Sequence, residues 1–344
     1  MSPIDGGQET ATSVGGRRGA GAAPELPDGR WHPAEAVFWL LPVAAFFLLP
    51  DYLMLGSQVL ITGLFALSLD LILGYAGIVS LGHAAFFGLG AYTAGLLAAH
   101  GWGEPLSGLL AAALAGAAAG WGSSFLVVRG GDLTRLMVTL GIGLMLFEAA
   151  NKAAFLTGGV DGLSGVSMGK LFGLFEFDLF GKTAYLYSLA VTFGLFLLLR
   201  RLTRSPFGLS LRGLREGARR MPALGVDVPA RLRAVYTLAA AIAAVAGGLL
   251  AQTTQFVGMD ALGFPRSAEL LVMLVLGGTG RLYGALAGAA LFMIAQDLLA
   301  GINPVYWQFW IGLLLMAMVL FARGGLMGAL DAWRARARAG KEQA

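Results

Sequence analysis

Apolar residues fill long stretches of this chain, and short polar or glycine-rich segments separate them. After a polar segment at residues 1–33, ten apolar stretches follow, at about 35–50, 53–73, 84–99, 105–128, 134–156, 184–200, 233–257, 267–280, 284–300 and 304–322. Most of them have the length of about 17–25 residues with which a helix crosses a bilayer, although 267–280 is too short to cross alone. Because lipid cannot hydrogen-bond the backbone, these stretches are expected to be helical. The pattern predicts an all-α polytopic membrane protein with about eight to ten transmembrane segments.

Composition supports this class and excludes several kinds of chemistry. Of the 344 residues, 57% are hydrophobic and 13% are charged, whereas a soluble domain carries about 25% charged residues. The 52 glycines are typical of transmembrane helices whose backbones pack closely. The chain has no cysteine and three histidines, so disulfides and thiolate catalysis are excluded. We expect no catalytic residues, no metal site and no cofactor.

Arginine positions predict the orientation of the segments. Residues 200–233 carry nine arginines, and cytoplasmic loops of membrane proteins are enriched in Lys and Arg. The same rule places the turn 129–135 and both chain ends in the cytoplasm, with loop 157–183 outside. We therefore predict a disordered cytoplasmic tail at 1–33, a transmembrane domain at 34–325 and a basic cytoplasmic tail at 326–344. The net charge of +4 is explained by this asymmetry and does not indicate nucleic-acid binding.

Two glycine-rich stretches, 74–92 and 277–289, interrupt the helical pattern in opposite halves of the chain. Gly-interrupted segments in corresponding positions indicate a transport route between two internal repeats, here a possible inverted repeat. The alternative is that these glycines only permit close helix crossings. The residues predicted to line a translocation pathway are Asp70, Gly74, Gly77, Ser80, His83, Phe86, Phe87, Tyr92, Thr93, Gly277, Gly278 and Gly280.

Two of these polar residues have more specific expectations. Intramembrane acids are costly and mark functional positions, so Asp70 is expected either to line the pathway or to satisfy a backbone group. For His83, a neutral imidazole that hydrogen-bonds backbone groups freed by the break is favoured over a ligand-binding role. The N–H groups that begin a half-helix are expected to bind an anionic group of a solute, such as a carboxylate.

The cytoplasmic loop 201–232 contains a candidate docking helix. Pro206 and Gly208 begin it, residues 212–220 are predicted to form a short polar helix, and Gly225 is expected to end it. Such a helix would fit a cleft on a partner, whereas the alternative is an ordinary basic loop. The candidate residues for this contact are Arg212, Leu214, Arg215, Glu216 and Gly225, and the family resemblance given next implies that the partner is an ATPase.

The run GYAGIVSLGHAAFFGLGAYT at 74–93 closely resembles the signature of branched-chain amino-acid ABC transporter permeases, and most nearly that of their M-type (LivM-like) subunit. Three further segments agree with that family: TGGVDGL at 157–163, the coupling-loop segment 205–225, and GGTGRLYG at 277–284. The resemblance covers residues 40–325. Asp70 is a departure, since the family commonly has an amide there.

This resemblance implies a permease subunit of an ABC importer for branched-chain or other small hydrophobic amino acids. The chain itself would be no enzyme. The implied partners are two ATP-binding subunits, a second homologous permease subunit, and a periplasmic or surface solute-binding protein, and the site of action is the lipid of the bacterial plasma (inner) membrane. Two alternatives stay open: a urea or short-amide ABC importer, and a stand-alone secondary transporter driven by an ion gradient.

Overall fold

The computed structural model describes residues 33–170 and 181–304, together with positions 306, 308–313, 316 and 325–328. Nearly all of both predicted tails lies outside the described residues, and so does part of the apolar stretch 304–322.

The described chain is helical, which confirms the predicted all-α class. Its helices are α1 (Pro33–Leu48), α2 (Leu53–Asp70), α3 (Ala84–Ala99), α4 (Pro105–Val127), α5 (Asp132–Lys152), α6 (Ala154–Thr157), α7 (Lys182–Arg204), α8 (Pro206–Gly217), α9 (Val228–Thr254), α10 (Phe264–Gly277) and α11 (Leu282–Ile302). Each of the first nine predicted apolar stretches corresponds to one of these helices.

Six helical segments in the described ranges are long and apolar enough to cross a membrane. They are Pro50–Tyr75, Pro105–Val127, Asp132–Lys152, Lys182–Thr203, Val228–Thr254 and Leu282–Ile302. The apolar helices Glu35–Leu48 and Ala84–Ala99 are shorter. Helix α10 has 14 residues, so it is too short to span a bilayer alone, as its sequence predicts.

Helices α2 and α9 form the centre of the bundle, and glycines bring their neighbours close. Within their apolar windows, 78% of the residues in the α2 segment and 72% in α9 are buried, compared with 11% in α5. A side chain at Gly247 of α9 would overlap the carbonyl of Phe87 in α3, and one at Gly90 of α3 would overlap the backbone of Ala244 in α9. The close crossing of α3 and α9 therefore depends on these two glycines.

The connections fall at two opposite ends of the bundle. At one end, the loop after α6 pairs with the loop after α9, because the backbones of Leu163 and Val257 exchange hydrogen bonds of 2.8 and 3.2 Å. At the other end lie helix α8, the α10–α11 connection and the beginning of the α2–α3 connection, whose later residues return into the bundle. The described part of loop 157–183 and helix α8 of loop 201–232, which the arginine pattern assigns to opposite sides, therefore lie at opposite ends. Which end faces the cytoplasm stays a prediction.

Candidate functional site

The first glycine-rich stretch begins with an irregular end to α2. The helix continues through a π-helical turn, Leu71–Tyr75, a form that is common at functional sites. Gly77 then adopts a left-handed conformation with φ of 75°, and the N–H of Ile78 donates to the carbonyl of Ile72 at 2.9 Å. Only glycine adopts such a cap without steric cost. The chain regains α-helical form at Ala84, so residues 71–83, the π-helical turn and the segment after it, are a real break in the α-helix, hereafter the first break.

The second glycine-rich stretch turns the chain between α10 and α11. Gly278 and Gly280 have φ of 97° and 80°, and α11 begins at Leu282. Two left-handed positions within three residues require glycine at both. Residues 278–281 are hereafter the second break.

The two breaks touch each other. The N–H of Gly280 donates a 2.7 Å hydrogen bond to Oδ1 of Asp70, across 210 positions of sequence. Gly74 lies at the same point, where an added side chain would overlap the Asp70 carboxylate and lie 2.7 Å from Cα of Gly280. Asp70 is fully buried, and its carboxylate satisfies a backbone donor that no helix can satisfy. This contact realises one of the two roles expected for Asp70.

Helix α8 lies where the sequence predicts a docking helix, with different bounds. It begins at Pro206, because proline suits the first turn of a helix, and it ends at Gly217 instead of residue 220. A separate 3₁₀ turn follows at Met221–Leu224, and Gly225 ends that turn with φ of 76°. Pro222 disfavours an α-helical conformation at Met221, the residue before it, and this explains why the α-helix ends earlier than predicted.

Arg215 connects α8 to both breaks. Its Nη1 donates a hydrogen bond to the carbonyl of Gly74, and the same nitrogen lies 2.8 Å from the position that a side chain on Gly280 would take. One turn earlier, the guanidinium of Arg212 lies 5.4 Å from the ring centre of Tyr75, a cation–π contact. Asp70, Gly74, Arg215 and Gly280 thus form one contact point, hereafter the joint.

The other predicted coupling residues divide between two faces. Leu214 is buried and holds α8 against the bundle. Glu216 and Gly225 are exposed, as is Leu224 between them, which exposes 75% of its surface. The 3₁₀ turn and the end of α8 therefore present a surface that is accessible to a partner.

His83 and Ser80 are fully buried at the first break. Nε2 of His83 lies 2.8 Å from Oγ of Ser68, and that hydroxyl donates to the carbonyl of Phe65 at 2.6 Å. The single hydrogen of the Ser68 hydroxyl is used in the bond to Phe65. Nε2 of His83 must therefore carry a hydrogen and donate it to Oγ of Ser68. His83 therefore bonds a side chain, contrary to the expectation that it would bond freed backbone groups.

A serine of α10, and not His83, hydrogen-bonds a backbone group that the first break leaves free. The N–H of Ala84, at the start of α3, donates to Oγ of Ser267 at 2.9 Å. Sequence reasoning missed Ser68 and Ser267, because single serines in apolar stretches leave no pattern. A cleft of about 10 Å³ next to this contact is lined by Leu81, Gly82, Leu140, Gly143, Leu144, Phe147, Leu262, Phe264 and Ser267. That volume holds about one water molecule.

The remaining predicted pathway side chains lie in packed protein. The ring of Phe87 stacks on Phe65 at 4.4 Å, and Phe86 packs edge-on against Tyr236 at 5.7 Å. Tyr92 is 5% exposed, and Thr93 donates to the backbone of its own helix. Gly277 lies against Gly284 and Gly288 of α11, where it has no room for a side chain. Among the described residues, no group of three His, Cys, Asp or Glu side chains is placed to hold a metal ion.

Comparison with known proteins gives the family. Residues 52–321 match the family described as branched-chain amino acid transport system / permease component. The chain is 30% identical over 303 residues to the high-affinity branched-chain amino acid transport system permease protein LivM of Salmonella typhimurium, and 31% identical over 291 residues to the LivM of Escherichia coli K12. These alignments cover 79% and 76% of this chain and 69% and 66% of the two relatives, about two thirds of their length. No solved structure matches. The chain therefore belongs to this permease family, and it is a permease subunit of an ABC importer.

Proposed function

We propose that this chain conducts branched-chain or other small hydrophobic amino acids across the bacterial plasma membrane. Transport would be driven by two separate ATP-binding subunits that bind helix α8. Family membership and the names of both LivM relatives support the substrate class. A second homologous permease would complete the membrane part. A periplasmic or surface solute-binding protein would deliver the substrate at the end where Leu163 pairs with Val257.

The joint is the observation that carries the coupling part of this proposal. Arg215 belongs to the docking helix, but its guanidinium donates to Gly74 of the first break. A hydrogen bond that involves a charged group contributes about 1.5–3 kcal/mol. A shift of α8 of a few ångströms would break this bond, and the bond from Gly280 to Asp70 would then hold the two breaks together without support from α8.

The substrate's carboxylate would bind where α3 and α10 begin. Their first turns lie together, as the bond from Ala84 to Ser267 requires, and the N-terminus of a helix favours negative charge. The adjoining cleft has apolar walls that include Leu140 and Phe264, and it would have to widen beyond its present size of about one water molecule to admit an aliphatic side chain. Urea or a short amide would lack the carboxylate that these helix ends favour.

Reconstituted transport tests the proposal. Vesicles that contain the complete importer would be supplied with radiolabelled leucine and ATP, and Arg215→Ala would be compared with Arg129→Ala. Arg129 is an exposed cation on the other turn predicted to be cytoplasmic. We expect Arg215→Ala to lower leucine uptake per ATP hydrolysed about tenfold, since that ratio corresponds to about 1.4 kcal/mol, the lower end of such a bond. Arg129→Ala should leave it unchanged.

Two results would overturn the proposal. Uptake of leucine by vesicles that contain this chain alone, driven by an ion gradient without ATP, would show a secondary transporter. Uptake of radiolabelled urea by the complete importer, with no uptake of leucine, would refute the substrate class.

A further inference from the structure

Helix α1 carries a buried ion pair that reaches the start of the docking helix. Oε2 of Glu35 lies 2.6 Å from Nη2 of Arg200, and its Oε1 lies 3.7 Å from Nη2 of Arg204. The three side chains are 13%, 8% and 27% exposed, in that order. This is the most enclosed ion pair of the described residues, and one carboxylate serves two arginines.

Both arginines lie at the end of α7, directly before α8. Arg204 is the last residue of α7, and α8 begins two positions later at Pro206. Ser205 between them is extended, so no flexible linker separates the two helices. A carboxylate that fixes Arg200 and Arg204 therefore also fixes the point from which α8 projects.

The same part of α1 packs on the helix that follows the second break. The ring of Phe38 lies 5.1 Å from that of Tyr283, the second residue of α11. Phe196 of α7 contacts Tyr283 at 4.9 Å, and Trp39 lies edge-on to Phe196 at 5.1 Å. An aromatic cluster thus joins α1, α7 and α11 one turn below the ion pair.

Charge inside this cluster has a physical consequence. Removal of one partner from a buried ion pair leaves the other charge uncompensated, whereas an exposed pair loses little.

The family match begins at residue 52, so α1 lies outside the segment that defines the family. Its contacts, however, are made with α7, which leads directly into α8, and with α11, which follows the second break.

We infer that Glu35 is a positioning residue, which holds the start of the docking helix against the helix after the second break and thereby makes α1 part of the coupling apparatus. This inference rests on the proposed function. Arg215 would link the second half of α8 to the first break, and Glu35 would link its start to α11.

The test compares Glu35→Gln with Glu148→Gln in the complete importer. Glu148 forms an exposed pair with Lys152 at 3.8 Å, so the control makes the same chemical change in an ion pair that water screens. The measurements are the amount of chain in the vesicles, ATP hydrolysis and leucine uptake. We expect Glu35→Gln to lower leucine uptake per ATP hydrolysed about tenfold, with Glu148→Gln equal to the unchanged importer.

A second variant covers the case in which Glu35→Gln reduces the amount of folded chain. The exchanged set, Glu35→Arg together with Arg200→Glu and Arg204→Glu, restores opposite charges among all three positions. Recovery of uptake per ATP hydrolysed, compared at equal amounts of chain in the vesicles, supports the inference, because the ratio reports coupling and the amount of chain reports folding. Failure to recover overturns it.

The two proposals fail in different ways. If the unchanged importer takes up no leucine with ATP, the proposed function is wrong. If the unchanged importer works and Glu35→Gln works equally well, only the role of Glu35 is wrong.

Discussion

The contact between the two breaks can be tested by adding one methyl group. In Gly74→Ala, the new Cβ would overlap the carboxylate of Asp70 and lie 2.7 Å from Cα of Gly280. Gly74 is not among the residues with a left-handed backbone, so alanine can adopt its conformation. The substitution therefore acts by packing alone, and it must push the two breaks apart.

The expected cost follows from two terms. Overfilling a packed interior costs about 1–3 kcal/mol. Separation also lengthens the bond from the Gly280 N–H to the Asp70 carboxylate, and such bonds to charged groups contribute about 1.5–3 kcal/mol. If both terms apply in full, the closed joint loses about 2.5–6 kcal/mol, which lowers its population relative to the separated form by about two orders of magnitude or more.

The matched control is Gly194→Ala in α7. A Cβ at Gly194 meets nothing within 4 Å, and alanine is the better helix former by about 1 kcal/mol. Each variant would be heated in detergent and assayed for remaining monodisperse protein, then reconstituted for leucine uptake. We expect Gly74→Ala to lower the midpoint of thermal inactivation and uptake, and Gly194→Ala to keep both. Equal midpoints and equal uptake in the two variants would refute the contact between the breaks.

Three further predictions use other parts of the chain. Because the chain has no cysteine, the variants Leu224→Cys and Val160→Cys each contain a single thiol. A membrane-impermeant maleimide added outside cells should label Val160→Cys and not Leu224→Cys. The reverse labelling would show that the topology is inverted. Asp70→Asn retains an acceptor oxygen for the N–H of Gly280, so we expect leucine uptake within about threefold of the unchanged importer. Asp70→Leu has no such oxygen and should abolish uptake. Equal uptake in both variants would contradict the role of that oxygen. Tyr187→Phe removes the 2.9 Å bond to Gln252 and leaves a buried acceptor without its donor, so thermal stability should fall by about 1–3 kcal/mol, and an unchanged midpoint would contradict this.

The two breaks could be predicted from the sequence, but their contact could not. Glycines at 74, 77, 278 and 280 interrupt apolar stretches, and this local signal marks where a helix ends. The bond from Gly280 to Asp70 joins residues 210 positions apart, and it depends on how α2 packs against α10 and α11. No local pattern contains that information.

The directions of the side chains on α8 could likewise not be predicted from the sequence. The sequence identified Arg215 as a coupling residue from the resemblance of segment 205–225 to the family's coupling loop, which says nothing about where its side chain points. In the structure its guanidinium turns back to the carbonyl of Gly74, because the π-helical turn of α2 leaves that carbonyl accessible. Glu35 was missed altogether, since a single acid beside a polar tail resembles an ordinary helix start.

Helix α8 is attached to the bundle near both of its ends, and this arrangement limits how it can move. Its 12 residues form a rod of about 18 Å. The start is fixed through Arg204 and Glu35 to α1, and the far end is fixed through Arg215 to the first break. We expect a push on the exposed turn around Leu224 to move the far end of α8 more than its start, and so to act on the bond from Arg215 to Gly74. A partner that contacts only this short surface would in this way reach the point where the two breaks meet.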